Sequence, residues 1–248
     1  MVRIEHCKLA EERLTIRRER RKTAPKRKSE NGILSARPCA KPTPVSPGIH
    51  KLSLGGKRDG IVLVPDARSA STERPLVLSL HGAGANAHDA IQPFRRLADK
   101  VGFVVLAPDA RGESWDALDA GWGPDVDFID TALHWVFDRC AIDRHKIAIA
   151  GFSDGASYAL SLGLANGDLF SHVMAFSPGF LRAPVRREKP RIFVSHGSAD
   201  ALFPAARCSR RIVSLLEQDS YEVRFEEFEG GHSVPPTVAA QAMDWLLA

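Results

Sequence analysis

With 248 residues, 44% of them hydrophobic, and a mean hydropathy of −0.16, the chain is long and apolar enough to bury one sizeable core, which excludes an intrinsically disordered polymer. No apolar run approaches the roughly eighteen residues of a membrane-spanning helix. The net charge of +4 is concentrated: residues 1–50 carry thirteen Lys and Arg against five Asp and Glu, leaving residues 51–248 at −4, which counts against a basic nucleic-acid-binding face within the fold.

In chain order, the first predicted unit is residues 1–47, a basic, Pro-rich tail and linker. The block at 17–28 is dense in Lys and Arg, prolines follow at Pro38, Pro42, Pro44 and Pro47, and hydrophobic periodicity is weak. The expectation is a solvated, disordered or partly helical segment without catalytic duty; contact with nucleic acid or an anionic surface is the less favoured alternative. No apolar stretch of signal-peptide type follows Met1, and Glu5, Glu11, Glu12 and Glu19 are foreign to an acid-poor transit peptide, so neither kind of leader is expected. Four cysteines, Cys7, Cys39, Cys140 and Cys208, lack metal-ligand spacing and two fall in the tail, which points to a reduced, cytoplasmic protein.

The second unit, residues 48–248, alternates strand and helix patterns. Short apolar or alternating runs predict strands at 49–54, 60–64, 76–80, 103–107, 146–150, 172–176, 191–195 and 221–228. Helical spacing predicts helices at 93–101, 126–140, 156–166, 205–218 and 236–247, the second with Phe128, Ile129, Ala132, Leu133, Val136 and Phe137 on one face. The alternation implies an α/β fold, with a mostly parallel eight-stranded sheet covered by helices on both faces.

Four strand ends carry chemistry. The fifth strand runs into Gly151-Phe152-Ser153-Asp154-Gly155, a G-x-S-x-G pattern between strand and helix. The pentapeptide alone arises by chance about once in ten chains of this length. Its context is more specific: a nucleophilic serine needs a base, a carboxylate to orient that base, and backbone donors for the oxyanion. The third strand ends in His81-Gly82-Ala83-Gly84-Ala85-Asn86, whose small residues allow the Ala83 N–H to join the Asp154 N–H as an oxyanion hole. The seventh strand ends in His196-Gly197-Ser198-Ala199-Asp200, and the eighth is followed by Gly230-Gly231-His232. The expected roles are Ser153 as nucleophile, His232 as base and Asp200 as the orienting acid, in the chain order Ser, Asp, His.

These motifs, with P-D-A-R-G at residues 108–112, resemble the α/β-hydrolases of the phospholipase/carboxylesterase family, near dienelactone hydrolases and small polyhydroxyalkanoate or feruloyl esterases; the resemblance spans roughly residues 48–248. It implies a hydrolase fold without a cap domain, because only the short segment 178–190 separates strands six and seven where many lipases insert one. Asp154 departs from the Gln, Asn or hydrophobe more usual there, so its side chain is expected to turn away, favoured by the helix dipole. Trp115, Trp122, Phe180, Phe203 and Val234 are candidate walls of an open substrate groove.

The resulting expectation is two-step acyl transfer from a small-molecule ester through an acyl-enzyme, with no cofactor. Thioester hydrolysis or polyester depolymerisation by the same mechanism is the alternative, and a non-catalytic binding protein on a hydrolase scaffold is the alternative from another class. His81 and His196, each before Gly at a strand end, are assigned to loop hydrogen bonding rather than to a metal shared with His232.

Overall fold

A computed structural model describes residues 31–66, 73–116 and 121–248. The basic block at 17–28 and Cys7 lie outside the described residues. Eight strands are formed by β1 (Gly48–Lys51), β2 (Gly60–Val64), β3 (Arg74–Leu80), β4 (Val104–Pro108), β5 (Ile142–Phe152), β6 (His172–Phe176), β7 (Arg191–Gly197) and β8 (Val223–Phe228). They make one sheet in the order β1-β2-β4-β3-β5-β6-β7-β8, antiparallel at β1-β2 and β2-β4 and parallel elsewhere. All eight predicted strands are present. The longest departure is β5, which starts at Ile142 because Ile142 pairs with Arg74 beyond a register shift.

The strand residues divide between two cores by the period of two that a pleat imposes. Leu76, Leu78, Leu80, Leu106 and Ile149 face one side; Val77, Val105, Ala107, Ala148 and Ala150 face the other. Helices α3 (Pro124–Phe137), α4 (Asp154–Ala165) and α5 (Ser209–Gln218) cover the first side. The second is covered by α1 (Ala87–Ile91), α2 (Arg95–Val101) and α6 (Pro236–Leu247). Helix α1 is absent from the sequence reading. It is one turn long, so periodicity cannot register it, but Asn86 supplies a capping box through the His88 N–H and the Asp89 side chain.

Helix α5 begins four residues later than predicted, because Pro204 to Cys208 form turns before the first helical hydrogen bonds. Helix α4 is buried from Gly155 to Ala165, which explains its small residues: at Gly163 a Cβ would lie 2.6 Å from Val173 on β6.

The expected boundary at residue 48 requires correction. Residues 31–47 are not a linker: Leu34 and Ala36 are 1% and 0% exposed and belong to the core under α3 and α4. The Leu34 N–H donates to Asn166 Oδ1 (2.8 Å), and Asn166 Nδ2 returns a bond to Gly32 O (2.7 Å) at the end of α4. Asp130 on α3 accepts from the Ser35 N–H, the Ser35 hydroxyl and the Ala36 N–H at 2.6–2.8 Å. Arg37 pairs with Asp168. Two isolated apolar side chains give no periodic signal, so this strap is visible only through the partners it meets.

A chain beginning at residue 48 should therefore melt lower than one beginning at residue 31. The loss of Leu34 burial, about 2–3 kcal/mol, plus the orphaned Asn166 amide predicts a fall of roughly 5–10 °C. Thermal denaturation of both truncations checks this; equal melting temperatures would return the boundary to residue 48.

Candidate active site

The turn between β5 and α4 is shaped by what its glycines exclude. A Cβ on Gly151 would stand 2.1 Å from Gly155 O, and one on Gly155 would stand 2.4 Å from the carbonyls of both Leu80 and His81. Only hydrogen fits there, and the close approach forces Ser153 to φ 57°, ψ −119°. That strained backbone is held by the Ser153 N–H donating to Phe176 O on β6 (2.9 Å). Ser153 is 7% exposed and faces a cavity of about 1030 Å³ that His81, Gly82, Ala83, Phe152, His232 and Val234 also line.

The loop after β3 is fastened at every step. The Ala110 N–H donates to His81 Nε2 (2.9 Å), so the His81 proton resides on Nδ1, which donates to Gly82 O (2.7 Å). Burial pushes the His81 imidazole below its ordinary range, with Arg58 adding to the effect and Gly82 O opposing it. Gly84 N–H bonds Glu113 O, Arg58 reaches Ala85 O, and the Ala87 N–H donates to Asp109 Oδ1 at 2.6 Å. Gly82 packs on the nucleophile, where a Cβ would touch Ser153 Cβ at 3.4 Å. Among the described residues, the Ala83 and Asp154 N–H groups are committed to no acceptor. The Asp154 carboxylate turns aside to accept the Ser114 hydroxyl (2.7 Å).

The loops after β7 and β8 interlock: a Cβ on Gly197 would meet Gly231 O at 2.3 Å, and Ala199 N–H bonds Gly230 O (2.8 Å). This packing delivers His232 Nδ1 to 2.6 Å from Asp200 Oδ2. Asp200 is 5% exposed; its other oxygen accepts the N–H groups of Leu202 and Phe203, both at 2.9 Å. Burial opposes ionisation, but the Phe203 N–H and His232 outweigh it and hold the carboxyl below the usual range. His232 Nε2 is buried and unpartnered, in the cavity that holds Ser153. The ring lies against Phe152 (centroids 4.7 Å apart) and edge-on to Phe203 (5.5 Å).

Of the five expected walls, Val234 lines the cavity and Phe203 touches His232. Trp115 does not: it is 1% exposed and supports the loop from behind, donating Nε1–H to His81 O at 2.9 Å. Trp122 packs edge-on to Tyr158 (5.3 Å) and beneath Gly32, so it joins the core rather than the groove. Phe180 stands on the loop after β6, which Ser157 Oγ holds by accepting the N–H groups of Gly179 and Phe180, and it is not among the cavity-lining residues. In exchange the cavity takes Phe94, Leu97, Phe152, Phe176 and Leu202. Phe152 was legible as the residue before the serine and Leu202 as a neighbour of Asp200; the other three had no local signal. Arg58, which anchors Ala85 and Ala110, was also missed, since one Arg in a polar turn looks like a solvated charge.

A serine on a strained strand-to-helix turn, within a mostly parallel eight-stranded sheet and beside a histidine-aspartate pair from the last two strand ends, defines an α/β-hydrolase. The family described as "Putative esterase" matches residues 52–186, and "Phospholipase/Carboxylesterase" matches residues 126–247. The first of these spans more than half of the chain, which therefore belongs to that esterase family and is a serine carboxylic ester hydrolase.

It is 26% identical over 231 residues to "Probable feruloyl esterase C" of Aspergillus oryzae, covering 80% of this chain and 83% of that one. The fold is shared with the serine hydrolase FphF of Staphylococcus aureus (TM-score 0.65, 17% identity, 82% of this chain and 100% of that one). A ferulic acid esterase of Anaeromyces mucronatus, solved with ferulic acid, has a TM-score of 0.60 at 18% identity over 79% of this chain and 89% of that one. No helix of the described residues is long and apolar enough to cross a membrane.

Proposed function

We propose that Ser153, His232 and Asp200 are the catalytic triad and that the Ala83 and Asp154 N–H groups form the oxyanion hole. The observation that carries this is the 2.6 Å His232–Asp200 bond, made while His232 Nε2 is unpartnered in the cavity of the strained Ser153. Ser153 Oγ attacks the ester carbonyl as His232 Nε2 takes its proton. The carbonyl oxygen becomes an oxyanion facing the two N–H groups, and Asp200 balances the imidazolium. Collapse expels the alcohol, protonated by His232, and leaves the acyl group on Ser153. Water, deprotonated by His232, then releases the acid and restores the serine.

Asp154 is consistent with this role, because its charge is drawn to Ser114 and only its N–H is required. His81 holds the Gly82 carbonyl, and in a trans peptide the following N–H, that of Ala83, points the opposite way.

The acyl group is assigned as small or extended. Residues 177–190 between β6 and β7 contain no helix, and the aromatic lining of Phe94, Phe152 and Phe176 suits an aryl or short alkyl chain, in keeping with the feruloyl esterase named among the relatives. A p-nitrophenyl ester series from acetate to palmitate should peak at short to medium chains with no change of rate at the micellar limit. A sharp rise for palmitate above that limit would contradict an uncapped groove. A fluorophosphonate that leaves Ser153 unlabelled in folded protein would instead favour the binding-protein alternative. A cytoplasmic location belongs to the same proposal, supported by the free thiols of Cys39, Cys140 and Cys208.

A further inference from the structure

We propose that His196 is a positioning residue for ester hydrolysis, clamping the 200–203 turn so that Asp200 presents Oδ2 to His232. The proposal rests on the triad reading and deepens it: the strand-end motif S-H-G-S-A-D supplies both the acid and the side chain that aims it.

His196 is 0% exposed and lies at the end of β7, four residues before Asp200. Its Nε2 is 2.5 Å from Phe203 O and 3.2 Å from Asp200 Oδ2, and its Nδ1 is 2.5 Å from Ser209 Oγ at the start of α5. Both neighbours of Nε2 are acceptors, so that nitrogen carries the proton, directed at Phe203 O; Nδ1 then accepts the Ser209 hydroxyl.

The consequence is a closed circuit. His196 donates to the carbonyl of Phe203, and the N–H of the same residue donates to Asp200 Oδ1 (2.9 Å). The second carboxylate oxygen lies 3.2 Å from the polar edge of the His196 ring and 2.6 Å from His232 Nδ1. The carboxylate therefore cannot rotate without breaking its bond to the Phe203 N–H. Phe203 in turn is held at its carbonyl, in the next peptide, by a ring that is itself bonded at both nitrogens. The Phe203 side chain, edge-on to His232, transmits the same constraint to the base.

A buried histidine with both nitrogens satisfied is ordinarily a core residue and nothing more. Here its acceptor is the carbonyl of Phe203, the residue whose N–H holds the acid, so its loss reaches the Asp200–His232 bond through one residue. Among the described residues, Glu227 on β8, bound to Arg210 of α5, also acts on His196, and Cys208 before α5 acts on Asp200.

The test uses the full chain labelled with ¹⁵N-histidine. In the wild type the His232 Nδ1–H should give a downfield proton resonance protected from exchange. In His196→Leu that resonance should broaden or vanish, kcat should fall about 10- to 100-fold, and KM should stay within roughly twofold, because alignment is lost and the groove is not. His196→Gln, whose amide can reach both Phe203 O and Asp200, should retain the resonance and most of kcat.

A folded His196→Leu protein with both the resonance and kcat of the wild type would overturn the proposal. So would equal losses in the Leu and Gln variants. If His196→Leu does not fold, Ser209→Ala, which frees only Nδ1, should move resonance and kcat in the same direction by less; no change in either overturns the clamp. The resonance is read without turnover. Full activity in Asp200→Asn would therefore sink the triad reading separately, whatever His196 does to that proton.

Discussion

Replacing Ser153 or His232 by Ala is expected to lower kcat by about 10⁴- to 10⁶-fold, and the double replacement should be little worse than either alone. In the proposed triad the two side chains act as one unit: without the base the hydroxyl is not activated, and without the hydroxyl the base has no proton to take. Residual turnover is expected from the proposed oxyanion donors, the Ala83 and Asp154 N–H groups, which neither substitution removes. Neither should unfold the protein, since Ser153 and His232 face a cavity rather than close-packed core. Steady-state kinetics beside thermal denaturation check both statements. Additive losses, or an alanine at position 153 that leaves kcat within tenfold, would remove the serine from the mechanism.

Asp200→Asn should cost about 10³- to 10⁴-fold in kcat, because an amide facing His232 Nδ1 favours the wrong tautomer and leaves the imidazolium unbalanced. The informative control is Asp109, which also follows a strand. Its two oxygens already accept the N–H groups of Asp59 (3.2 Å) and Ala87 (2.6 Å), so it braces the loop carrying Ala83 and has no route to His232. Asp109→Asn turns one acceptor into a donor against an N–H, and the expected effect is mainly on stability, about 1–3 kcal/mol. A crippled Asp109→Asn beside an Asp200→Asn within tenfold of wild type would reverse the two roles.

Much of this site was legible because the chemistry lies at strand ends whose apolar runs are unambiguous. The alternation that sends Leu76, Leu78 and Leu80 to one face and Val77 to the other also fixes where β3 stops and His81 begins. The glycines at 151, 155 and 197 carried the same kind of local information: each marks a close backbone approach, and the structure shows what approaches. Groove walls behaved differently. Trp115 and Trp122 follow the P-D-A-R-G turn, yet both rings pack on Tyr158 of α4 rather than on the groove.

The sequence by itself determined the strand-helix alternation, the elbow at Ser153, the chain order of serine, aspartate and histidine, and the family, because each depends on spacing along the chain. Only the tertiary structure decided that Leu34 and Ala36 are core, that Arg58 and Asp109 brace the loop after β3, and that His196 bonds the Phe203 carbonyl in the turn after Asp200. Those assignments depend on bonds such as Leu34 to Asn166, 132 residues apart, and Arg58 to Ala110, 52 apart. A lone leucine or arginine carries no periodic signal, and its energy of burial or pairing exists only once the distant partner has been brought against it.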